Sequence, residues 1–195
     1  MSPYLWQAAV SIEDERFFSH HGVDWKRTLG ATLLTLTGSN DSYGGSTITQ
    51  QLAKQLYSPA THGIIDRALQ KPIEWMIAVK LERYYSKDEI IKMYLNQFDF
   101  LYNAVGIKSA AWVYFGKAAK DLNIQEAATL VGMVKNPAYY NPVRHPERTR
   151  LRRNTVFEQM EKQGMLTAAQ ADSLKQLPLE LDFHRVDHKD GLAPY

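Results

Sequence analysis

Apolar residues in this chain recur every three or four positions and show no convincing alternation over a strand's length. That period belongs to the α-helix, where positions i, i+3, i+4 and i+7 share a face, and it argues against a sheet-built core. Asp24–Leu36 reads as a helix ended by Gly38-Ser-Asn-Asp, followed by a Gly-rich loop over Gly38–Gly45. Ser46 or Thr47 then opens a helix to about Tyr57, with Ile48, Leu52 and Leu56 stepping by four. Beyond a break at Pro59–Gly63, Asp66–Tyr84 carries an apolar stripe of Leu69, Ile73, Met76/Ile77 and Leu81. Pro72 inside it predicts a kink or a fresh helix start. Ser86-Lys-Asp-Glu89 is a capping box that opens a helix to about Asn96. Asn103–Phe115 and Gln125–Val134 are apolar helices separated at Gly116. Pro146 fits the first position of a helix to Gln163, with Gly164 just past its end, and Thr167-Ala-Ala-Gln170 is a second capping box. The class is therefore mainly α, with at most small β elements. The chain after Pro178 has no period and is expected to leave the domain, which makes 1–178 the domain and 179–195 a tail.

With 195 residues, 45% hydrophobic, the chain can bury a core without staples. It has no cysteine, which removes disulfides, Cys-ligated zinc, iron–sulfur clusters and thiol nucleophiles. A net charge of +2 does not argue for nucleic acid as a partner. No run approaches the roughly 20 apolar residues that span a bilayer. The first residues lack the basic and apolar regions of a signal peptide. Either the chain is cytosolic, or it is cut from something larger.

Four constellations carry candidate chemistry. The first, Ile12-Glu-Asp-Glu-Arg-Phe-Phe-Ser-His-His-Gly22, sets acids beside aromatics. A carboxylate so placed suits general acid/base work; the plainer reading is a helix N-terminus with favourable acidic residues. The second, Tyr43-Gly-Gly-Ser-Thr-Ile-Thr-Gln-Gln-Leu-Ala-Lys54, puts two glycines before a Ser/Thr-rich first turn. Free amides and hydroxyls there suit an anion. On a helical wheel Ser46, Thr47, Gln50 and Lys54 share one face and the apolar residues the other. The plainer reading is a flexible loop and an amphipathic surface helix. The third places Arg67, Lys71 and Glu74 on one stripe, either a surface ion pair or a cation pair for a diphosphate. The fourth is the cluster Arg144, Arg148, Arg150, Arg152 and Arg153, a solvated face or a contact for an anionic surface.

Taken together, these segments resemble the glycosyltransferase family 51 domain of class A penicillin-binding proteins and their monofunctional relatives, over about Tyr4–Leu177. The matching motifs are Glu13-Asp14-x-x-Phe17-x-x-His20-x-Gly22, Gly44-Gly-Ser-Thr-Ile-Thr-Gln-Gln51 with Lys54, Lys71-x-x-Glu74, and Lys87-Asp-Glu-Ile-Ile-Lys-Met-Tyr-Leu-Asn96. Asn136-Pro-Ala-Tyr-Tyr-Asn-Pro142 with Arg152-Arg-Asn154 resembles the end of such domains.

The resemblance implies a lysozyme-like, two-lobed helical fold. It implies polymerisation of lipid II into β-1,4-linked glycan strands, with inversion at the donor carbon and release of undecaprenyl pyrophosphate. By the same resemblance Glu13 is the general base. Lys54, Lys71 and Arg67 meet the diphosphate charge. Glu74 either orients these cations or holds Mg²⁺ or Mn²⁺ beside the diphosphate, and no organic cofactor is implied. Ser46, Thr47, Gln50 and Gln51 hold phosphate and sugar oxygens; Asp14 and Phe17 join the substrate-binding set, and His20 supports the loop. The implied setting is the extracytoplasmic side of the cytoplasmic membrane, beside a membrane anchor and a tethered transpeptidase domain.

Two departures stand out. Gln70 precedes Lys71 where the family usually has Arg, so Arg67 is expected to compensate from the same face. Asp99-Phe100-Leu101 stands where relatives often have a Tyr-Leu-Gly-type turn, so that loop is expected to differ. Two competing readings are a lysozyme-like glycan-cleaving enzyme, whose sugar leaving group needs no such cations, and an inactive scaffold that binds lipid II.

Overall fold

The computed structural model describes residues 1–36, 44–57 and 64–185, with the backbone alone for 32–36 and 64–68. Among these residues the helices are α1 (Pro3–Glu13), α2 (Trp25–Leu36), α3 (Ile48–Tyr57), α4 (Ile64–Tyr84) and α5 (Lys87–Asn96), then α6 (Gly106–Phe115), α7 (Ile124–Val134), α8 (Pro146–Lys162) and α9 (Ala168–Gln176). A 3₁₀ turn covers Phe17–Ser19. Extended pairing is confined, among the described residues, to the isolated bridges His21–Val23 and Asp99–Val105. The mainly α expectation is met. The chain divides into two compact units: Glu13–Gln97, and Met1–Ile12 with the chain from Phe98 onward.

In the Glu13–Gln97 unit, α3 packs against both α4 and α5. Its buried Ile48, Leu52 and Ala53 meet a core that includes Phe17, Ala78, Leu81, Ile90, Ile91 and Leu95. Ser86 and Glu89 close the expected capping box at the start of α5. Two details of α4 refine the sequence reading. Pro72 starts no new helix; it is exposed, and α4 runs through it. The stripe Leu69, Ile73 and Met76 faces out, while Glu74, Ala78 and Leu81 are buried. The buried row lies about 140° round the helix from the exposed one. The buried row of α4 thus pairs the carboxylate of Glu74 with the apolar Ala78 and Leu81.

In the other unit, α7 is buried nearly all round and packs along α8, which in turn carries α9. Ser2 Oγ donates to the Leu122 carbonyl (2.9 Å), seating the start of α1. Gly116 ends α6 in the left-handed conformation. The described part of the segment after Pro178, residues 179–185, lies along α6. Asp182 N donates to the Tyr114 carbonyl (3.0 Å) and His184 N to the Val113 carbonyl (2.7 Å). Residues 186–195 lie outside the described residues.

The departure at Asp99-Phe100-Leu101 has a backbone cost. Leu101, Tyr102 and Asn103 have φ of 69°, 51° and 63°. Each such non-glycine residue costs roughly 1–2 kcal/mol. Local bonds hold the turn: Leu101 N donates to Asp99 Oδ1 (2.8 Å), and the Tyr114 hydroxyl donates to the Phe100 carbonyl (2.5 Å). Burial raises the pKa of Tyr114, so it keeps the proton it donates. The Tyr102 ring packs edge-on against Tyr114 and Phe183.

Arg153 is fully buried. Its guanidinium donates to the carbonyls of Leu177 (2.7 Å) and Pro178 (2.9 Å), closing the end of α9. Arg153→Met would leave those carbonyls without this donor. We expect it to lower the unfolding free energy by about 2–4 kcal/mol in urea titration. A loss under about 0.5 kcal/mol, the scale of an ordinary surface change, would show that the clamp does not matter.

Candidate active site

Glu13 is the last residue of α1, not part of a helix N-terminus as the plainer sequence reading had it. A carboxylate there faces the negative end of the helix dipole. Arg27 offsets this: its Nη1 donates to the Glu13 carbonyl (2.8 Å) and lies 3.9 Å from Asp14 Oδ1. Asp24 positions Arg27 by accepting its backbone N–H (3.1 Å) at the start of α2, and is itself paired with Arg16 at 2.7 Å.

The half-buried Glu13 side chain is held by α3. Gln51 Nε2 donates to Glu13 Oε2 (3.1 Å), and the Tyr94 hydroxyl of α5 donates to Gln51 Oε1 (3.0 Å). Tyr94 is fully buried. Its pKa lies well above the ordinary tyrosine value, first through burial and then through the carboxylates of Glu13 and Asp14. Sequence reasoning assigned Tyr94 no role. Its one signal was a polar tip among the buried residues Ile90, Ile91 and Leu95 of the same helix.

The start of α3 is closed from within. Gln50 N donates to Thr47 Oγ1 and Thr47 N donates to Gln50 Oε1, each at 3.1 Å, a reciprocal capping box. Thr47 Oγ1 donates in turn to the Gly22 carbonyl (2.6 Å). Asp14 Oδ2 accepts the Ile48 N–H (3.0 Å), and both Asp14 oxygens lie 3.0–3.1 Å from His20 Nε2. Asp14, Thr47 and Gln50 are only 1%, 0% and 2% exposed. The Thr47, Ile48 and Gln50 amides, among those the sequence reading offered to an anion, are therefore taken by the chain's own Gln50, Asp14 and Thr47, and Gln50 turns inward, away from the polar wheel face assigned to it. Phe17 is likewise core, with the Lys87 ammonium 4.3 Å from its ring centroid. Lys87 also donates to the His20 carbonyl (2.7 Å) and to Glu82, which accepts from Thr49 of α3 (2.6 Å). Gly22 is required twice over. Its φ is +86°, and a Cβ there would lie 2.7 Å from the Ala78 carbonyl of α4.

A second cluster joins α4 to the residues before α3. Lys71 Nζ donates to Glu74 Oε2 (2.7 Å) and to Ser46 Oγ (3.4 Å). Glu74 is buried, whereas Lys71 and Ser46 are half-exposed and Lys54 is exposed on α3. The Arg67 side chain lies outside the described residues, and with it the expected compensation for Gln70. Among the described residues no three His, Cys, Asp or Glu side chains gather to hold a metal. Glu74 offers one carboxylate, already bonded to an ammonium, so the residues described do not fit a resident Mg²⁺ or Mn²⁺.

The adjacent carboxylates are thus differently placed. Asp14→Asn disturbs bonds to Ile48 and His20, and we expect a stability loss of about 2–3 kcal/mol in urea titration. Glu13→Gln keeps an acceptor for Gln51 and is expected to stay within about 0.5 kcal/mol of the parent. The opposite ranking would contradict this division.

A model of the transglycosylase family matches residues 1–161. The chain is 42% identical over 166 residues to penicillin-binding protein 1F of Bacillus subtilis, covering 85% of this chain and 22% of that protein. It is 40% identical over 177 residues to penicillin-binding protein 1A of Aquifex aeolicus, covering 90% and 24%. It is 36% identical over 184 residues to penicillin-binding protein 1A of Escherichia coli, covering 93% and 21%. The crystal structure of penicillin-binding protein 1A from Haemophilus influenzae aligns with 69% of this chain and 17% of that one, at 23% identity and a TM-score of 0.47. The chain spans less than a third of the length of these curated relatives. The chain belongs to the transglycosylase family.

Proposed function

We propose that this chain is a peptidoglycan glycosyltransferase that polymerises lipid II and releases undecaprenyl pyrophosphate. The observation that carries the reading is a half-buried carboxylate held by an amide, in the same unit as a lysine held by a buried glutamate. Glu13 takes the proton from the acceptor 4-hydroxyl. The freed oxygen bonds to the donor anomeric carbon with inversion as the carbon–diphosphate bond breaks. A positioned base of this kind contributes about 10²–10⁴-fold. The leaving diphosphate needs charge stabilisation rather than a proton. Lys71 supplies it, with Lys54 and Arg67 as further cations, and Ser46 offers a hydroxyl. Glu74 keeps the Lys71 ammonium aimed. Mg²⁺ or Mn²⁺ arriving with the diphosphate would compete with Lys71 for that carboxylate, and no step here depends on it. A glycan-cleaving reading gives the Lys71 cluster nothing to do.

The exposed Trp25, Leu29, Leu69, Ile73 and Met76 give the same unit an apolar surface on α2 and α4, which the Trp25–Trp75 edge contact joins at 5.4 Å. No described helix is long and apolar enough to cross a membrane. We place this surface against the outer leaflet of the cytoplasmic membrane, where a lipid-linked substrate resides, with an anchor and a transpeptidase domain in the longer protein.

The test is labelled lipid II incubated with the chain, with products resolved by gel. A ladder that lysozyme digests is expected from the parent. Glu13→Gln should give none while still binding a diphosphate-lipid analogue. Lys71→Ala combined with Glu74→Gln, which strands no buried charge, should weaken that binding at least about tenfold, a loss of roughly 1.4 kcal/mol. A ladder from Glu13→Gln, or parental affinity in the double variant, would contradict the roles assigned.

A further inference from the structure

We infer that Tyr94 and Gln51 form a positioning pair for Glu13: Tyr94 fixes the orientation of the Gln51 amide, and Gln51 in turn pins Glu13 Oε2. The inference rests on the general-base reading of Glu13 given above.

The terminal torsion of a glutamate is broad, and Glu13 sits where α1 ends and the chain leaves the helix. Orientation of this carboxylate must therefore come from outside its own backbone. Gln51 and Tyr94 supply it from the interiors of α3 and α5. An amide side chain presents either its oxygen or its nitrogen, and only the nitrogen can donate to an ionised carboxylate. Tyr94 selects that orientation. Burial holds the phenol protonated, so its O–H donates to Gln51 Oε1 (3.0 Å) and turns Nε2 toward Glu13 (3.1 Å). The three groups form one directed chain, O–H to O=C–N–H to carboxylate. Phenylalanine would fill almost the same volume at position 94. The hydroxyl is the part that packing does not require, and a buried hydroxyl is costly unless it is bonded. Gln51 therefore acts through Glu13 rather than as the phosphate or sugar contact the sequence reading gave it.

Tyr94→Phe removes the bond that fixes the Gln51 oxygen, so the amide keeps one of its two anchors and the aim of Glu13 loosens with no change at a substrate contact. Displacements of this kind cost up to about 10²-fold in rate. In the lipid II polymerisation assay we expect kcat to fall about tenfold or more, with KM for lipid II within about twofold of the parent. In a Gln51→Ala background, Tyr94→Phe should then cost clearly less than it does in the parent, since its route through Gln51 is already gone. A parental kcat in Tyr94→Phe, a rise in KM matching the loss, or losses that multiply in the double variant would each overturn the pair. If Tyr94→Phe does not fold, Gln51→Met, which has no donor for Glu13, is read on the same criteria: lowered kcat at parental KM supports the pair, and parental kcat overturns it. Glu13→Gln in parallel separates the two levels. Parental polymerisation there removes the base assignment itself, whereas a dead Glu13→Gln beside a fully active Tyr94→Phe removes only the pair.

Discussion

One buried carboxylate organises the Glu13–Gln97 unit. Asp14 accepts the Ile48 amide at the start of α3 and faces His20 Nε2 in the preceding loop. Those bonds tie the residue that follows Glu13, at the end of α1, to the start of the helix that carries Gln51. A buried carboxylate is costly unless bonded, and here hydrogen bonds and the nearby Arg27 guanidinium offset that cost. The arrangement also explains Gly22, whose backbone must pass against α4 so that its carbonyl can accept from Thr47.

On that frame, neighbouring acids have opposite fates. Asp14 is buried and fully engaged in support, while Glu13 remains half-exposed, with one oxygen held by Gln51. The same contrast recurs on α4. Glu74 is buried, and Lys71, half-exposed, meets both Glu74 and Ser46. In each case a buried polar group aims a more exposed one. Glu13 and Lys71 stand on helices α1 and α4, and Ser46 on the segment before α3.

The helical period and its punctuation made most of the fold legible. The capping boxes at Ser86 and Thr167, Pro146 at the start of α8 and the left-handed Gly116 all stand where spacing put them. Helix α1 was not read, because Leu5, Ala8, Ala9, Val10 and Ser11 bury more than one narrow stripe. On α4 the stripe holds at Leu81 and fails at Leu69, Ile73 and Met76, because hydrophobicity alone cannot show that a carboxylate, Glu74, is the buried residue. At the site, motif spacing brought out Glu13, Gln51, Ser46, Lys71 and Glu74. It could not show which of the singled-out residues are buried, as Asp14, Phe17, Thr47 and Gln50 are. Tyr94 was invisible for a related reason: among apolar neighbours on one helix, a tyrosine reads as packing until its hydroxyl is seen to have a partner.

The central claim is that Lys71, aimed by Glu74, marks where the diphosphate charge is met. A crystal structure of the chain with a bound diphosphate-lipid ligand tests it most directly. A diphosphate oxygen within hydrogen-bond distance of Lys71 Nζ and Ser46 Oγ is the expected result. A diphosphate bound elsewhere, with the Lys71–Glu74 pair undisturbed and facing solvent, would contradict it.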